Sequence, residues 1–217
     1  MVDSTKFLGV YIDQNLLFQK HILYIKGKIS RGIGILYKCK PVLNETSLKM
    51  LYNAIIYPYF VYCIEVWGNT LSTYLDPLIK TQKQAIRIIS CAKKQAHSLP
   101  LFIKLGLLDL RKMYLYYVQL FMFKFHRKLI PSIVDNLFIQ NNHVHKYNTR
   151  HANHLHVSMI ITKPLSRSVR VTGVKIYNYF KTLAETDVRM SLDVSYATYK
   201  THLKKHVMDS IDIYSTL

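Results

Sequence analysis

The chain has 217 residues, enough for one domain of ordinary size or two small ones. Half of the residues are hydrophobic, which supplies a core and excludes a disordered chain. Thirty Lys and Arg stand against twelve Asp and Glu, a formal net charge of +18. So basic a surface repels itself unless an anion lies against it, which points to nucleic acid or an acidic membrane face and away from cationic substrates.

The scarcity of acid also limits the chemistry. Nine Asp and three Glu are present, and no two are adjacent. Enzymes that hold Mg²⁺ do so with closely placed carboxylates, and the sequence offers no such pair, so no cofactor is expected on this chain. Cys39, Cys63 and Cys91 are widely spaced and form no C-x-x-C, which fits small buried hydrophobes in a reducing compartment better than a disulfide frame or zinc site. Met1–Lys6 lacks the apolar run of a signal peptide. The longest apolar stretch, Leu51–Trp67, is interrupted by Pro58 and Glu65 and is too short to span a bilayer. The expectation is a soluble, intracellular protein with no transmembrane segment.

In chain order, Lys6–Asp13 is β-branched and aromatic and reads as a short strand closed by Asp13-Gln14-Asn15. Ile22, Ile25, Ile29, Ile33 and Leu36 then recur every three or four residues, one face of a helix. Lys28, Arg31 and Lys38 fall on a different face. Gly27, Gly32 and Gly34 weaken this helix, so packing must hold it. Pro41 and Asn44 mark a break, and Asn44 can cap a second helix from Ser47 to Trp67. That helix is apolar nearly all round, which predicts burial in the centre of a bundle, with Pro58 kinking it or ending its first half. A third helix, Tyr74–Ser90, buries Leu75, Leu78, Ile79, Ile86 and Ile89, while Lys80, Lys83 and Arg87 run down its other side.

After a break at Ser98-Leu99-Pro100, an aromatic-rich helix follows from Leu110 to Leu129. Its Tyr and Phe residues fit core packing, and Lys124, His126, Arg127 and Lys128 suit a helix C-terminus before Pro131. From Asn141 to Lys163 the pattern dissolves into a basic loop holding His143, His145, His151, His154 and His156. Their spacing invites zinc, but no Cys or carboxylate joins them. Ser168–Thr172 alternates like a short strand, Val174–Leu183 reads as a helix, and a last amphipathic helix starts at a cap near Ser195. Phosphate-loop, dinucleotide, Gly-x-Ser-x-Gly and His-Glu-x-x-His motifs are all missing. The residues themselves describe a basic, mainly α binding module with no visible catalytic constellation.

Five short motifs, in order, add a resemblance. Phe7-Leu8-Gly9-Val10-Tyr11-Ile12-Asp13 with Leu16 and His21-Ile22 is the first. Leu51-Tyr52-Asn53 through Tyr62-Cys63-Ile64-Glu65-Val66-Trp67-Gly68 is the second, and Gln82-Lys83-Gln84-Ala85-Ile86-Arg87 the third. Tyr147-Asn148-Thr149-Arg150 and Gly173-Val174-Lys175-Ile176-Tyr177-Asn178 complete the set. Together they resemble the C-terminal part of reverse transcriptases of non-LTR retrotransposons (jockey-like and CR1-like LINE elements), across roughly residues 5–205. The resemblance implies a thumb-like three-helix bundle followed by a helical C-terminal extension with a His/Asn-rich loop. It implies boundaries at 1–20 (end of the palm and a primer-grip-like strand), 21–96 (thumb-like bundle), 97–140 (aromatic-rich connector) and 141–217 (basic loop and helical extension).

It also implies that fingers and palm, with the aspartates that bind catalytic Mg²⁺, lie outside this chain. The expectation is then a truncated RNA-directed DNA polymerase, inactive alone, whose partners are an RNA–DNA hybrid and the missing fingers and palm. Lys28, Arg31, Lys80, Lys83 and Arg87 would meet the phosphates of the template–primer, and Phe7, Leu8 and Gly9 would be primer-grip-like. Trp67 is expected in the core. The rival readings are a basic, aromatic-rich interaction or peripheral-membrane protein, and a non-functional remnant.

Overall fold

Leu8 and Gly9 turn the expected first strand back on itself. Both have positive φ (43° and 86°), the backbone of a two-residue type I′ turn, which glycine adopts without steric cost. The result is an antiparallel hairpin of β1 (Ser4–Phe7) and β2 (Val10–Asp13), with Lys6 opposite Tyr11 and Phe7 opposite Val10. The computed structural model describes residues 4–144, 150–159 and 162–210. The chain is mainly α-helical and divides into two units, Met1–Met113 and Tyr114–Leu217.

In the first unit, the Asp13 carboxylate accepts hydrogen bonds from the backbone N–H groups of Asn15, Leu17 and Phe18 at 3.1, 2.9 and 2.6 Å. It thereby fixes Leu16 and Phe18 in left-handed conformations and places a negative charge before the start of helix α1 (Gln19–Cys39). The inner face of α1 carries Ile22, Ile25, Ile29, Ile33 and Leu36, all buried. Gly32 earns its place here: a Cβ on it would meet Ile56 Cγ1 at 2.7 Å.

The segment expected as one helix over 47–67 is three. The Asn44 side chain accepts from the Ser47 N–H and starts α2 (Glu45–Ile55). Pro58, which has no N–H to donate, opens α3 (Tyr57–Val61), and Cys63 at φ 52° ends it before α4 (Ile64–Trp67). The segment is not buried all round either. Leu48, Tyr52, Ile56, Phe60, Ile64 and Trp67 are fully buried, but Met50, Tyr59, Tyr62 and Val66 face outward, because each short helix has its own solvent side. Trp67 lies in the core as expected: its indole N–H donates to Tyr62 O at 2.9 Å, and its ring meets His21 edge-on at 5.6 Å.

Helix α5 (Ser72–Ile89) packs its inner face on α1. From that face the fully buried Gln82 donates to Leu108 O at 3.1 Å and accepts from the Leu110 N–H at 2.9 Å, which ties the chain beyond α6 (Ser98–Leu105) to the bundle. α6 replaces the break expected at Ser98–Pro100, since proline in a first helical turn sacrifices no hydrogen bond. All three cysteines are free, in keeping with the absence of a disulfide frame, but they are less buried than expected: Cys39 and Cys63 are half-buried, and Cys91 is exposed in the turn that closes α5.

Helix α7 (Leu110–His126) buries Tyr114, Tyr116 and Phe123, as expected of a core helix, and leaves Tyr117, Phe121 and Phe125 half-buried. In the second unit, α8 (Asn141–Val144) is a single turn and α9 (Lys163–Arg167) is capped by Thr162. The strand expected over Ser168–Thr172 is instead the first turn of α10 (Val169–Thr186). Alternation of Val169, Arg170 and Val171 mimics a strand, but packing decides: Val171 and Val174 are buried, and a Cβ on Gly173 would approach Met122 Sδ at 3.2 Å. Tyr177 hydrogen-bonds His126 Nδ1 at 2.8 Å, while the Asn178 amide clasps both backbone groups of Leu155 at 2.9 and 2.8 Å. The Gly173–Asn178 motif is thus a packing device. α11 (Tyr196–Asp209) starts at its Ser195 cap and buries Tyr199, Leu203 and Val207.

Candidate nucleic-acid interface

The outer face of α1 follows from its inner one. With the isoleucines turned inward, Lys20, Tyr24, Lys28, Arg31, Ile35 and Lys38 recur at intervals of four or three residues along the opposite side. The 21 residues of α1 contain no Asp or Glu. At its N-terminal end this face meets the hairpin. Tyr11 and Tyr24 stand edge to face, 5.3 Å between centroids. Lys6 Nζ lies 5.5 Å from both ring centres, Lys20 Nζ lies 5.4 Å from that of Tyr11, and Lys28 Nζ lies 5.5 Å from that of Tyr24. Lys20 also donates to Ser4 Oγ at 2.9 Å.

The hairpin tip is held from the other side. Tyr62 donates its hydroxyl to Leu8 O, and its ring would touch a Cβ on Gly9 at 3.4 Å. Thr70 anchors the following loop by donating to Leu17 O at 2.6 Å. Phe7 and Leu8 remain exposed at the tip, by 62% and 74%. Beneath it, burial keeps the His21 imidazole neutral, with its pKa lowered to about 4.

The cations of α5 sit differently. Lys80 is exposed, but Lys83 lines an open cleft of about 390 Å³ together with Asp76, His97, Asp109 and Arg111. Asp76 pairs with Arg111 at 3.7 Å, and Asp109 caps α7 by accepting from the Arg111 and Lys112 N–H groups. The Arg87 guanidinium donates to Ala96 O at 2.8 Å and so holds the loop after α5.

The five cations singled out in the sequence therefore do not form one cluster. Lys28 and Arg31 share the outer side of α1. Lys80, Lys83 and Arg87 share the outer side of α5, and the two helices bury their inner sides against each other. Lys6, Tyr11, Lys20 and Tyr24 are the neighbours that sequence reasoning missed. The available signal was the unbroken four-and-three spacing that extends the Lys28–Arg31 stripe to Lys20 and Lys38.

In the second unit, Arg127 pairs with Asp193 at 3.9 Å. Arg189 and Asp187 form a two-bond pair at 3.0 Å beside His202 and His206. The histidine-rich segment is partly ordered by a bridge between Gln140 and Leu155, with the His151 and His154 rings 4.5 Å apart. Among the described residues, no group of three His, Cys, Asp or Glu is placed to hold a metal ion. His145 and the Tyr147–Thr149 part of the fourth motif lie outside the described residues. No described helix is long and apolar enough to cross a membrane.

No protein-family profile matches the chain, and no solved structure matches it significantly. Two known proteins do. One is the "RNA-directed DNA polymerase from mobile element jockey" of Drosophila funebris, 30% identical over 90 residues, which cover 40% of this chain. The other is the "Probable RNA-directed DNA polymerase from transposon X-element" of Drosophila melanogaster, 24% identical over 91 residues, or 41% of this chain. The matched segment spans 10% of the length of each. Over about two fifths of its length, then, this mainly helical chain is similar to RNA-directed DNA polymerases of non-LTR retrotransposons.

Proposed function

We propose that this chain is the nucleic-acid-holding, thumb-side part of a non-LTR retrotransposon reverse transcriptase. Its role is to grip the RNA–DNA hybrid by its phosphates. The similarity to two transposon polymerases carries the reading, and the net charge of +18 gives it a physical means. In this role Lys28 and Arg31 on α1, with Lys80 and Lys83 on α5, meet backbone phosphates, which position a duplex without reading its sequence, while Arg87 holds the loop after α5. Phe7, Leu8 and Gly9 present the hairpin tip towards the primer end.

The reading assigns metal-assisted nucleotide transfer to fingers and palm supplied from outside these residues. It derives no catalytic step for this chain and expects no polymerase activity from it alone. An intracellular location follows from the ligand.

The test is binding of a 16-base-pair RNA–DNA hybrid to the purified chain, titrated with salt and run beside anionic vesicles. The reading requires hybrid binding that weakens steeply with salt, by about 0.9 in the log–log slope per phosphate contact. Binding to vesicles alone replaces it with a peripheral-membrane role, for which the outward-facing Met50, Tyr59, Tyr62 and Val66 would supply apolar contacts. A folded monomer that binds neither makes the chain an inert remnant.

A further inference from the structure

We infer that Lys6, Lys20 and Lys28, gathered on the rings of Tyr11 and Tyr24, form a phosphate-backbone site for nucleic acid that continues down α1 through Arg31 and Lys38. The inference rests on the nucleic-acid-holding reading above and adds where on the chain the strand runs.

The first argument is electrostatic. Lys6 shares one ring with Lys20 and another with Lys28. Ammonium groups that share a ring lie within about one Debye length of each other, ~10 Å at ordinary salt, close enough to repel. Ring faces attract cations, but they carry no net charge to cancel three. Among the described residues, no carboxylate does so either. The ion pairs among the described residues use Lys104, Arg111, Arg127 and Arg189. Asp13, the nearest acid along β2, is spent on three backbone N–H groups. A row of like charges assembled by the fold and left without a counter-ion is what a polyanion neutralises, and its bound salt ions are released in exchange.

The second argument is geometric. The tyrosines hold the lysine stems in defined places, so fewer rotamers are lost when a phosphate arrives. Their hydroxyls are donors of the kind that phosphate oxygens accept. From Lys20 to Lys38 the helix rises about 27 Å at 1.5 Å per residue. That length is enough to meet several backbone phosphates. An extended, one-sided, single-sign ridge fits one strand of a backbone and does not enclose a small anion. By contrast, the α5 stripe begins one turn after Asp76 and has committed Arg87 to Ala96.

The experiment uses the full chain and the same 16-base-pair hybrid. A Lys6→Gln/Lys20→Gln/Lys28→Gln variant is compared with wild type, with the matching Lys→Arg triple, and with Lys93→Gln/Lys94→Gln from an exposed loop of the same unit. The expected result is a salt slope shallower by about 2.7, at ~0.9 per lost contact, with affinity at 0.1 M salt reduced on the order of a hundredfold. The Arg triple keeps the wild-type slope, which separates charge from folding, and the loop variant changes it by less than one contact. A Gln triple that binds with the wild-type slope overturns this site and leaves the nucleic-acid reading standing. A wild-type chain that does not bind the hybrid overturns both.

Discussion

The outer sides of α1 and α5 carry cations at the same helical spacing, yet they are different kinds of surface. On the α1 side Lys6, Lys20 and Lys28 rest on tyrosine rings, and no carboxylate among the described residues pairs with them. On α5 one is committed to a backbone carbonyl, one lines a cleft beside two carboxylates, and Asp76 lies one turn ahead of Lys80. What separates them is the availability of each cation, not the number. A sequence shows the number.

The largest expected effect lies on the inner side of α5. Gln82→Ala removes both partners of the buried Leu108 carbonyl and Leu110 N–H. Leaving these unsatisfied should cost about 3 kcal/mol, read as a lower midpoint in urea at unchanged slope. If the loss is below about 1 kcal/mol, Gln82 is not what ties α6 and α7 to the bundle.

The inner side of α1 predicts a pH dependence. The folded His21 pKa, about 4, lies below its ordinary value of 6.5, so acid protonates the unfolded chain first. Its contribution is fully present above pH 6.5 and is lost as pH falls towards 4. The loss amounts to about 2 kcal/mol after allowing for partial solvent screening. Burial also holds His126, His154 and His206 low, in the same sense. The His21→Phe variant isolates the effect: its urea midpoint between pH 7 and 4.5 should fall less than that of wild type. An identical fall would assign the pH dependence to the second unit.

Two smaller effects bear on the outer sides. Gly9→Ala must hold a φ of 86° with a side chain beside the Tyr62 ring, which should lower stability by about 1 kcal/mol in thermal melts. Arg87→Ala should cost about 1 kcal/mol through its bond to Ala96 O, whereas Lys80→Ala should stay within about 0.5 kcal/mol. If both leave the melting temperature unchanged, Arg87 is as available as the lysines of α1, and the contrast between the faces disappears.

Much of this fold was legible because its longest helices obey one rule. Ile22 to Leu36 and Leu75 to Ile89 mark their inner faces by spacing alone, and Asn44 and Ser195 announce their helices by residue type. Errors arose where local patterns were outvoted by distant contacts. Val169–Val171 looks extended until Met122 is placed against Gly173. Pro100 looks like a stop, although the first turn of a helix has no use for its missing N–H. The apolar run after Ser47 gave no hint that Cys63 would adopt a left-handed φ and split it.

Part of the candidate interface was legible for the same reason. Lys28 and Arg31 stand out on a helical wheel. Lys6 and Tyr11 do not, because they reach α1 only through the register of a two-residue turn and the loop fixed by Asp13. The grouping of Lys6, Lys20 and Lys28 is tertiary information, created when a strand folds back beside a helix.

The Asp13 clamp has a mechanical consequence. It joins the hairpin to the first turn of α1 through three hydrogen bonds across five residues, and Thr70 braces the same loop. The joint between hairpin and helix is therefore fixed, and the placement of Lys6 and Tyr11 beside Lys20 and Tyr24 is set where α1 begins.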